Sequence, residues 1–481
     1  MTDLIDLASE QVGGAVLAVN DEFFAPAANL VKATTPEWRE DVFTDRGKWM
    51  DGWESRRRRS PGHDWCVIRL GIAGEVKRVV VDTTHFRGNY PEACSVEACG
   101  VGFDDALPGA MWEELLPRSE LKGDAVNGFD VEGGRRVTHL RFNIFPDGGV
   151  ARLRVLGVPL PALQEVAPEG ALPDLAGAVL GGSVTEASDD FFGSADALLR
   201  PGPSSGMFDG WETRRRRGEG NDWVKVLLGL RGTPRHVVVD TSHFKGNAPG
   251  SVAVEASADG ERWIPIVGRR GVGANRQHLF EAESDVEAAL VRLDIFPDGG
   301  VARFRVYGDP TASAREQVRV RYLNALFEEE AHRFFGTACG SLRWVERMAA
   351  GQPYASGAAV LEAANAAFDM LGESDWEMAF AAHPRIGERV EGIPGREQAV
   401  AVSTATGREK ELAEGNTRYE ERFGRSFIIA AQGKTTDEVI EAMEQRMNNE
   451  PKAERLAAAA EQRVITERRL RHMLCLGPAP T

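Results

Sequence analysis

The sequence predicts a multidomain protein in which two all-β sandwiches are followed by an all-α domain. A stretch at residues 51–89 recurs at residues 209–247 with well over half of its positions identical. Both copies contain short runs rich in Val, Ile and Phe and bounded by Gly, Pro, Asp or Asn, which is the pattern of antiparallel strands. Beyond about Thr311, apolar residues instead recur at helical spacing.

The two copies share polar and charged residues as well as apolar ones. Each contains DGWE, four successive arginines, an Asp-Trp pair and the string DT-x-HF-x-GN. A duplicated core alone would retain mainly the apolar pattern, so the shared polar residues indicate a function. The repeats predict domains at residues 1–160 and 175–310, and extra residues in the first copy are expected in surface loops.

Four strand-like runs follow one another in each copy. In the first copy they are WCVIRLGI, KRVVVDTTHF, THLRFNIF and VARLRVLG. PDGG separates the last two runs in both copies. Because Pro presets φ and Gly permits positive φ, we expect a turn there that joins the two strands as a hairpin.

The third domain is predicted over residues 316–476. Thr435 and Glu438 have the spacing of a capping box that begins a helix, and Pro451 ends that segment. A further alanine-rich helix is predicted from about Lys452 to Met473.

Composition limits the class of protein. The chain has 481 residues, 42% of them hydrophobic and 27% charged, with no apolar run near the roughly 18 residues that a membrane span needs. A net charge of −16 opposes nucleic-acid binding, because attraction to phosphates needs a basic field. The first residues lack the regions of a signal peptide and the five cysteines cannot all pair, so we expect a cytoplasmic protein. The sequence leaves a homo-oligomer open.

The repeats contain two groups of candidate site residues. The arginine runs suit a carboxylate, which a guanidinium binds in bidentate fashion, and the alternatives are a solvated face or an ion-pair lattice. The second group combines a histidine after each VVVDT strand with nearby carboxylates, which suits acid–base chemistry or a metal; the alternative is a hydrogen-bonded histidine at a strand end. The candidates are Arg57, Arg58, Arg215, Arg216, Asp82 and Asp240 for binding, and His85, His243, Glu97 and Glu255 for catalysis.

The motifs DGWE-[ST]-RRRR, DT-x-HF-x-GN and PDGG-VAR-x-RV-x-G, each present twice, resemble the allantoicase family. That resemblance implies two jelly-roll sandwiches of the galactose-binding-like type. It also implies hydrolysis of allantoate to ureidoglycolate and urea. It does not say which repeat holds the site.

The helical domain has its own motif, HPRIG, at residues 383–387. Pro384 disfavours helical geometry at His383, so the helix that carries Trp376 and Phe380 should end there. With CGSLRWV, REQ, NTRYEERFGRSFI and RMNN, the motif resembles the decarboxylase of 2-oxo-4-hydroxy-4-carboxy-5-ureidoimidazoline (OHCU), which forms (S)-allantoin.

This second resemblance implies a set of roles. His383 would be the general acid–base and Glu397 its carboxylate partner, while Arg446 would anchor the substrate carboxylate. Gln398 and Pro384 would line the pocket, and neither a cofactor nor a metal is assigned. The sequence departs from the family at Pro394, where a serine is usual.

Two other classes fit parts of the chain. A duplicated jelly roll could be a carbohydrate-binding module fused to a helical enzyme domain, with its arginines on acidic sugars. An interaction scaffold could use the arginine runs as docking patches, but it gives no account of HPRIG or NTRYEERFG.

Overall fold

The computed structural model describes residues 4–102, 110–162, 170–387, 397, 399, 403 and 407–476. The chain divides into two compact units, one ending at Phe327 and the other beginning at Glu328. The first unit contains both repeats, and the second is helical.

The first repeat forms an eight-stranded arrangement, in the order β1-β12-β6-β10-β7-β8, with β2 and β9 also paired to β6. Its strands are β1 Ile5–Asp6, β2 Ala15–Val19, β3 Phe43–Thr44, β4 Gly47–Lys48, β5 Trp53–Glu54, β6 Asp64–Asp82, β7 Ala93–Cys99, β8 Glu113–Glu120, β9 Val126–Asp130, β10 Val137–Phe145, β11 Gly149–Val150 and β12 Arg152–Pro159. β3 pairs with β4 in the segment by which this repeat exceeds the second.

The second repeat has a corresponding sheet of seven strands, in the order β13-β15-β19-β16-β17, with β18 and β21 also paired to β15, and a separate pair formed by β14 and β20. Its strands are β13 Ser183–Ala187, β14 Trp211–Glu212, β15 Asp222–Asp240, β16 Ser251–Ser257, β17 Ile264–Gly271, β18 Gln277–Glu281, β19 Ala288–Phe296, β20 Gly300–Val301 and β21 Arg303–Pro310. The prediction of two β-sandwiches is confirmed.

A single long strand organises each repeat. The runs WCVIRLGI and KRVVVDTTHF, predicted as two strands, belong largely to the one strand β6. Its first part pairs with β10 and its last part with β12. The predicted hairpin across PDGG is therefore wrong. Both neighbours of that turn pair with β6 rather than with each other, and the turn instead carries β11, which pairs with β5.

Alternating side chains of the long strand build the core. Cys66, Ile68 and Leu70 are fully buried in the first part of β6, as are Val79 and Val81 in the last part. This period of two is that of a strand with one face on a core. Trp53 packs into the core of the first repeat and Trp211 into that of the second.

Helix α1, Ala312–Asn324, belongs to the unit of the sandwiches. Ala314 packs in the core of the second repeat, and Phe327, just beyond α1, packs in that of the first. The backbone amide of Arg136 donates to the Ala325 carbonyl at 2.6 Å. The second compact unit therefore begins at Glu328, whereas the sequence predicts a helical domain from residue 316.

The second unit is built from helices, as predicted. Those described are α2 Glu328–Ala338, α3 Leu342–Ala350, α4 Gly357–Asp369, α5 Glu373–Ala381, α6 Glu409–Phe423, α7 Thr436–Arg446 and α8 Pro451–Met473. The capping box is confirmed, because the Glu438 amide donates to Thr435 Oγ1 at 3.4 Å and the Thr435 amide to Glu438 at 2.7 Å. In the described part of the chain, no helix is long and apolar enough to cross a membrane.

Candidate active sites

The repeated polar motifs meet at one end of each sandwich. In the first repeat, Asn89 Nδ2 donates to Glu54 at 2.7 Å, and the Gly149 amide donates to the Asn89 carbonyl at 2.7 Å. Phe86 packs so closely on Gly149 that a Cβ there would lie 2.0 Å from the ring, and Phe244 on Gly300 shows the same distance. The motifs WE, HF, GN and PDGG are thus parts of one packed corner.

Alternate arginines of each run are held by structural ion pairs. The first of the four, Arg56, binds Asp21 at 2.6 Å. The third, Arg58, binds the buried Asp64 at 2.6 Å. The second repeat has the same arrangement, with Arg214 on Asp189 and Arg216 on Asp222. The third arginine of each run is therefore already paired with a carboxylate of its own sandwich.

The second and fourth arginines are different. The side chains of Arg57, Arg59, Arg215 and Arg217 are exposed, and no hydrogen bond or ion pair joins them to other residues that the structure describes. Of the predicted carboxylate-binding pairs, Arg57 and Arg215 are thus available to a ligand, whereas Arg58 and Arg216 are largely committed to a carboxylate.

The predicted histidine and carboxylate set of the first repeat is not joined by hydrogen bonds among the described residues. His85 donates its backbone amide to Asp124 at 2.9 Å, and its ring lies 5.5 Å from that of Trp38. Asp82 accepts the Thr84 amide at 2.8 Å. Glu97 instead accepts from Asn143 at 3.2 Å on the face formed by β7 and β10.

The second repeat resembles the first in these positions. His243 Nε2 lies 2.9 Å from the Ser204 carbonyl oxygen, and Glu255 stands opposite Arg292 in the register of β16 and β19. Burial works to raise the pKa of Asp240, but hydrogen bonds from Ser242 and Gln277 leave it below the usual value. Over the described ranges, no group of three or more His, Cys, Asp or Glu side chains is arranged to hold a metal ion.

Both histidines adopt a backbone conformation that non-glycine residues rarely occupy. The φ angles are 72° at His85 and 71° at His243. The left-handed region costs an L-residue about 1 kcal/mol or more, so the surrounding corner must impose it. The duplicated geometry fixes the direction in which each histidine leaves the end of its long strand.

The helical unit contains a cavity at the predicted histidine. Helix α5 ends at Ala381 as expected, and the His383 amide donates to the Phe380 carbonyl at 3.0 Å. The cavity is lined by His383, Pro384, Ile386, Glu397, Phe427, Ile428, Ile429, Ala430, Ala431, Gln432, Ile465, Arg468 and Arg469. The structure therefore brings together three of the predicted residues, His383, Pro384 and Glu397.

Burial, together with a neighbouring charge, sets the protonation of the histidine in this cavity. Burial, reinforced by the positive charge of Arg469, lowers the pKa of His383 to about 4, while a hydrogen bond with Gln462 acts in the opposite direction. Glu397 binds the guanidinium of Arg469 through both oxygens, at 2.8 and 2.7 Å. The imidazole is consequently neutral at physiological pH and stands beside a paired, nearly buried arginine.

The remaining predicted residues lie elsewhere. Arg446 is outside the described lining of the cavity and binds Glu454. Gln398 and Pro394 lie outside the described residues.

Sequence reasoning did not single out Arg468, Arg469 or Gln462, all on α8, or the segment 429–432 that lines the cavity. The run ERRLR at residues 467–471 is a visible signal, but a charge run of this kind is usually a solvated helical face.

Comparisons with known proteins agree with this division of the chain. Residues 5–160 and 173–311 match the allantoicase repeat, and residues 324–471 match the OHCU decarboxylase family. A probable allantoicase from Pseudomonas paraeruginosa is 45% identical over 319 residues, which cover 64% of this chain and 96% of that protein.

Solved structures are similar to each part. The crystal structure of allantoicase from Saccharomyces cerevisiae is 34% identical, covers 63% of this chain and 93% of its own, and has a TM-score of 0.51. An OHCU decarboxylase crystallised in the presence of (S)-allantoin is 31% identical, covers 31% of this chain and 98% of its own, and has a TM-score of 0.27. From the two matched repeats and the helical match that follows them, the chain belongs to the allantoicase family and carries an additional OHCU decarboxylase domain.

Proposed function

We propose that the helical unit converts OHCU to (S)-allantoin with His383 as the group that moves the proton, and that the sandwiches hydrolyse allantoate to ureidoglycolate and urea. The observation that carries the first assignment is a cavity that brings His383 together with the Arg469–Glu397 pair and with the exposed Arg468, which no other described residue binds. The two reactions belong to purine breakdown but are not consecutive, since allantoin must still be hydrolysed to allantoate.

A neutral imidazole suits the decarboxylation. OHCU carries a hydroxyl and a carboxylate on the same carbon, so loss of CO₂ leaves an electron pair that must be protonated. As CO₂ leaves, the electron pair of the broken carbon–carbon bond passes to the ring C=N group, and His383 takes the hydroxyl proton and delivers it to the adjacent ring carbon. One further proton from solvent neutralises the ring nitrogen and completes allantoin. Its low pKa keeps the ring in the accepting form at neutral pH.

The cations of the cavity have separate roles in this proposal. Arg468 is exposed and has no hydrogen bond or ion pair to the described part of the chain, so it attracts the anionic substrate. Arg469 is held by Glu397, and its charge reinforces the burial that keeps the imidazole unprotonated. Glu397 thus acts on His383 through Arg469, which replaces the direct pairing that the sequence implies.

Residues 428–432 also line the cavity, as part of its wall. Main-chain groups of a segment outside any described sheet can hydrogen-bond to the ureido group and ring of OHCU. The Ala430 amide already donates to Glu461, and the Ile428 and Ala431 carbonyls accept from Arg446 and Lys434, so the main-chain groups of Ile429 are the candidates for substrate.

For allantoate, the proposal uses the residues that the sandwiches leave uncommitted. Arg57 or Arg215, which no other described residue binds, holds the carboxylate, and the constrained His85 or His243 assists attack of water on the ureido-bearing carbon. The candidates for binding the ureido nitrogen atoms of allantoate remain Asp82, Asp240, Glu97 and Glu255. The matched repeats favour this hydrolase over a carbohydrate-binding module or a scaffold.

Two coupled assays on the purified chain test both assignments. Allantoate should release urea, and freshly generated OHCU should give (S)-allantoin faster than the spontaneous reaction does. Absence of either product from a folded protein would remove the corresponding assignment.

We also propose that the protein acts in the cytoplasm on these small molecules, without nucleic-acid or membrane partners. All five cysteines are free, four of them buried, which suits a reducing compartment. Phe191, Phe192 and Phe208 of the second repeat are 66%, 63% and 82% exposed, which supports a homo-oligomer. Sedimentation of the wild type and of Phe208→Ser would test it, since a dimer face should weaken on that change.

A further inference from the structure

Arg446, at the end of α7, contacts the wall of the decarboxylase cavity from behind. Its Nη1 donates to the Ile428 carbonyl at 2.7 Å, and its guanidinium lies 4.7 Å from the centre of the Phe427 ring. Phe427 and Ile428 both line the cavity, while Arg446 is not among the described lining residues. The arginine therefore contacts the wall and not the space that a substrate would occupy.

A buried carboxylate fixes this arginine. Glu454, in the first turn of α8, is completely buried, and Arg446 Nε lies 2.9 and 3.2 Å from its two oxygens. Asn449 donates to the same carboxylate at 2.7 Å, and the Tyr419 hydroxyl also donates to it. Every partner of Glu454 thus comes from α6, from α7 or from the turn before α8.

The energetics oppose a role for Arg446 in binding the substrate carboxylate. To reach a substrate, the guanidinium would have to leave a buried carboxylate, and an unpaired buried charge is strongly destabilising. A bidentate arginine with a main-chain acceptor is instead well suited to hold a backbone segment in one place.

We propose that Arg446 is a positioning residue, which Glu454 orients so that it fixes the Ile428 carbonyl and thereby the 428–432 wall relative to His383. This inference rests on the proposed decarboxylase function. It assigns Arg446 a role different from the substrate anchor that the sequence implies, and it adds Glu454 and Tyr419 to the residues on which catalysis depends.

Kinetics of three variants separate the two roles. A wall displaced relative to His383 lowers kcat, because misplacement by about 1 Å can cost about 10²-fold. We expect Arg446→Lys and Glu454→Gln each to lower kcat at least about tenfold with KM changed less than about threefold. An anchoring Arg446 would instead give a raised KM in Arg446→Lys and an unchanged or lower KM in Glu454→Gln, since that change frees the guanidinium.

The third variant, Arg446→Met with Glu454→Met, removes both charges together and so leaves none unpaired. If Arg446 and Glu454 act together, the double variant will lose no more kcat than the more impaired of the two single variants. Additive losses of kcat would overturn this coupling. Arg463→Lys is the matched control. Arg463 also pairs with a carboxylate, Asp369, and lies 5.0 Å from a phenylalanine ring, but it does not line the described cavity.

Hydrogen exchange provides a readout that does not depend on the reaction. Amides of residues 428–432 should exchange faster in Arg446→Lys than in the wild type or in Arg463→Lys, while the amides of α8 should be unchanged. If the wild type forms no (S)-allantoin, the proposed function fails and exchange alone decides the positioning role. Unchanged exchange in this segment, or the anchoring pattern in KM, would overturn the inference.

Discussion

Replacing His383 with Asn removes the proton-transfer group but keeps a polar side chain next to Gln462. General acid–base catalysis contributes about 10² to 10⁴-fold, so formation of (S)-allantoin should fall by about that factor. The product can be followed by circular dichroism after OHCU is generated in the cuvette. Urea release from allantoate in the same protein should be unchanged, because the motifs for that reaction lie in the other unit.

The pH dependence of (S)-allantoin formation provides a second test of the role of His383. Because the neutral imidazole is the active form, kcat/KM should hold from neutral pH to about pH 5 and decline as pH falls through the folded pKa of about 4. The free energy of unfolding should also decrease as the pH falls. Below about pH 6.5 the unfolded chain binds a proton that the folded histidine does not, so the free energy of unfolding falls by at most ~3 kcal/mol down to about pH 4. His383→Asn should lack that loss, which acid titration of urea unfolding would measure.

Either measurement can refute the proposed role of His383. A His383→Asn protein that forms (S)-allantoin at nearly the wild-type rate would exclude His383 as the proton carrier. A wild-type profile that bends near pH 6.5 would show that the imidazole is not desolvated in the working enzyme. Loss of both activities would indicate that the variant misfolds, and thermal unfolding would establish this independently.

Three further predictions concern the sandwiches. Changing Arg57 and Arg59 together to Ala, or the equivalent pair of the second repeat, should weaken allantoate binding in the repeat that holds the site. The expected loss is about 1.5 to 3 kcal/mol per lost contact. An unchanged KM for allantoate in both double variants would exclude this carboxylate site. Asp51→Asn should lower the free energy of unfolding by about 3 to 5 kcal/mol, because the buried Arg152 that Asp51 binds at 2.6 Å loses its counter-charge. Since the pKa of Asp51 is lowered in the fold, the difference in stability between wild type and variant should disappear in acid. A Tm unaffected by the substitution would contradict this prediction. A fragment of residues 1–327 should retain urea release from allantoate. A fragment of residues 1–312 should be less stable, because α1 and Phe327 are missing from it. Equal melting temperatures of the two fragments would show that α1 adds nothing to the stability of the sandwiches.

The sequence was sufficient for the fold class because its local signals agree with the tertiary structure. Alternation at period two predicts the strands, and the capping box predicts the start of α7. It was not sufficient for the pairing of strands. A PDGG turn has the same local chemistry whether its flanking strands pair with each other or, as here, both pair with β6. Partner choice is set by the burial of faces across the whole sandwich.

The candidate sites show the same limit. HPRIG locates the cavity because Pro384 ends the helix at a fixed place, and this local effect needs no knowledge of distant residues. Arg469 could not be recognised in this way, since its role depends on Glu397, which lies far from it in the chain. The arginine runs did contain a usable signal. In an extended chain, alternate side chains face opposite sides, so one pair of each run should have been expected to face the sandwich.

Identity between the two copies is therefore a weak guide to which one binds allantoate. Most shared polar residues hold the corner together in both repeats, through the pairs Arg58–Asp64 and Arg216–Asp222. Positions where the copies differ are more informative. His63 lies 4.8 Å from the ring of Phe145 in the first repeat, whereas its counterpart Asn221 donates to Asp294 at 2.8 Å in the second. The two corners thus have the same framework but differ at this position, where the first repeat presents an imidazole and the second an amide bound to a carboxylate.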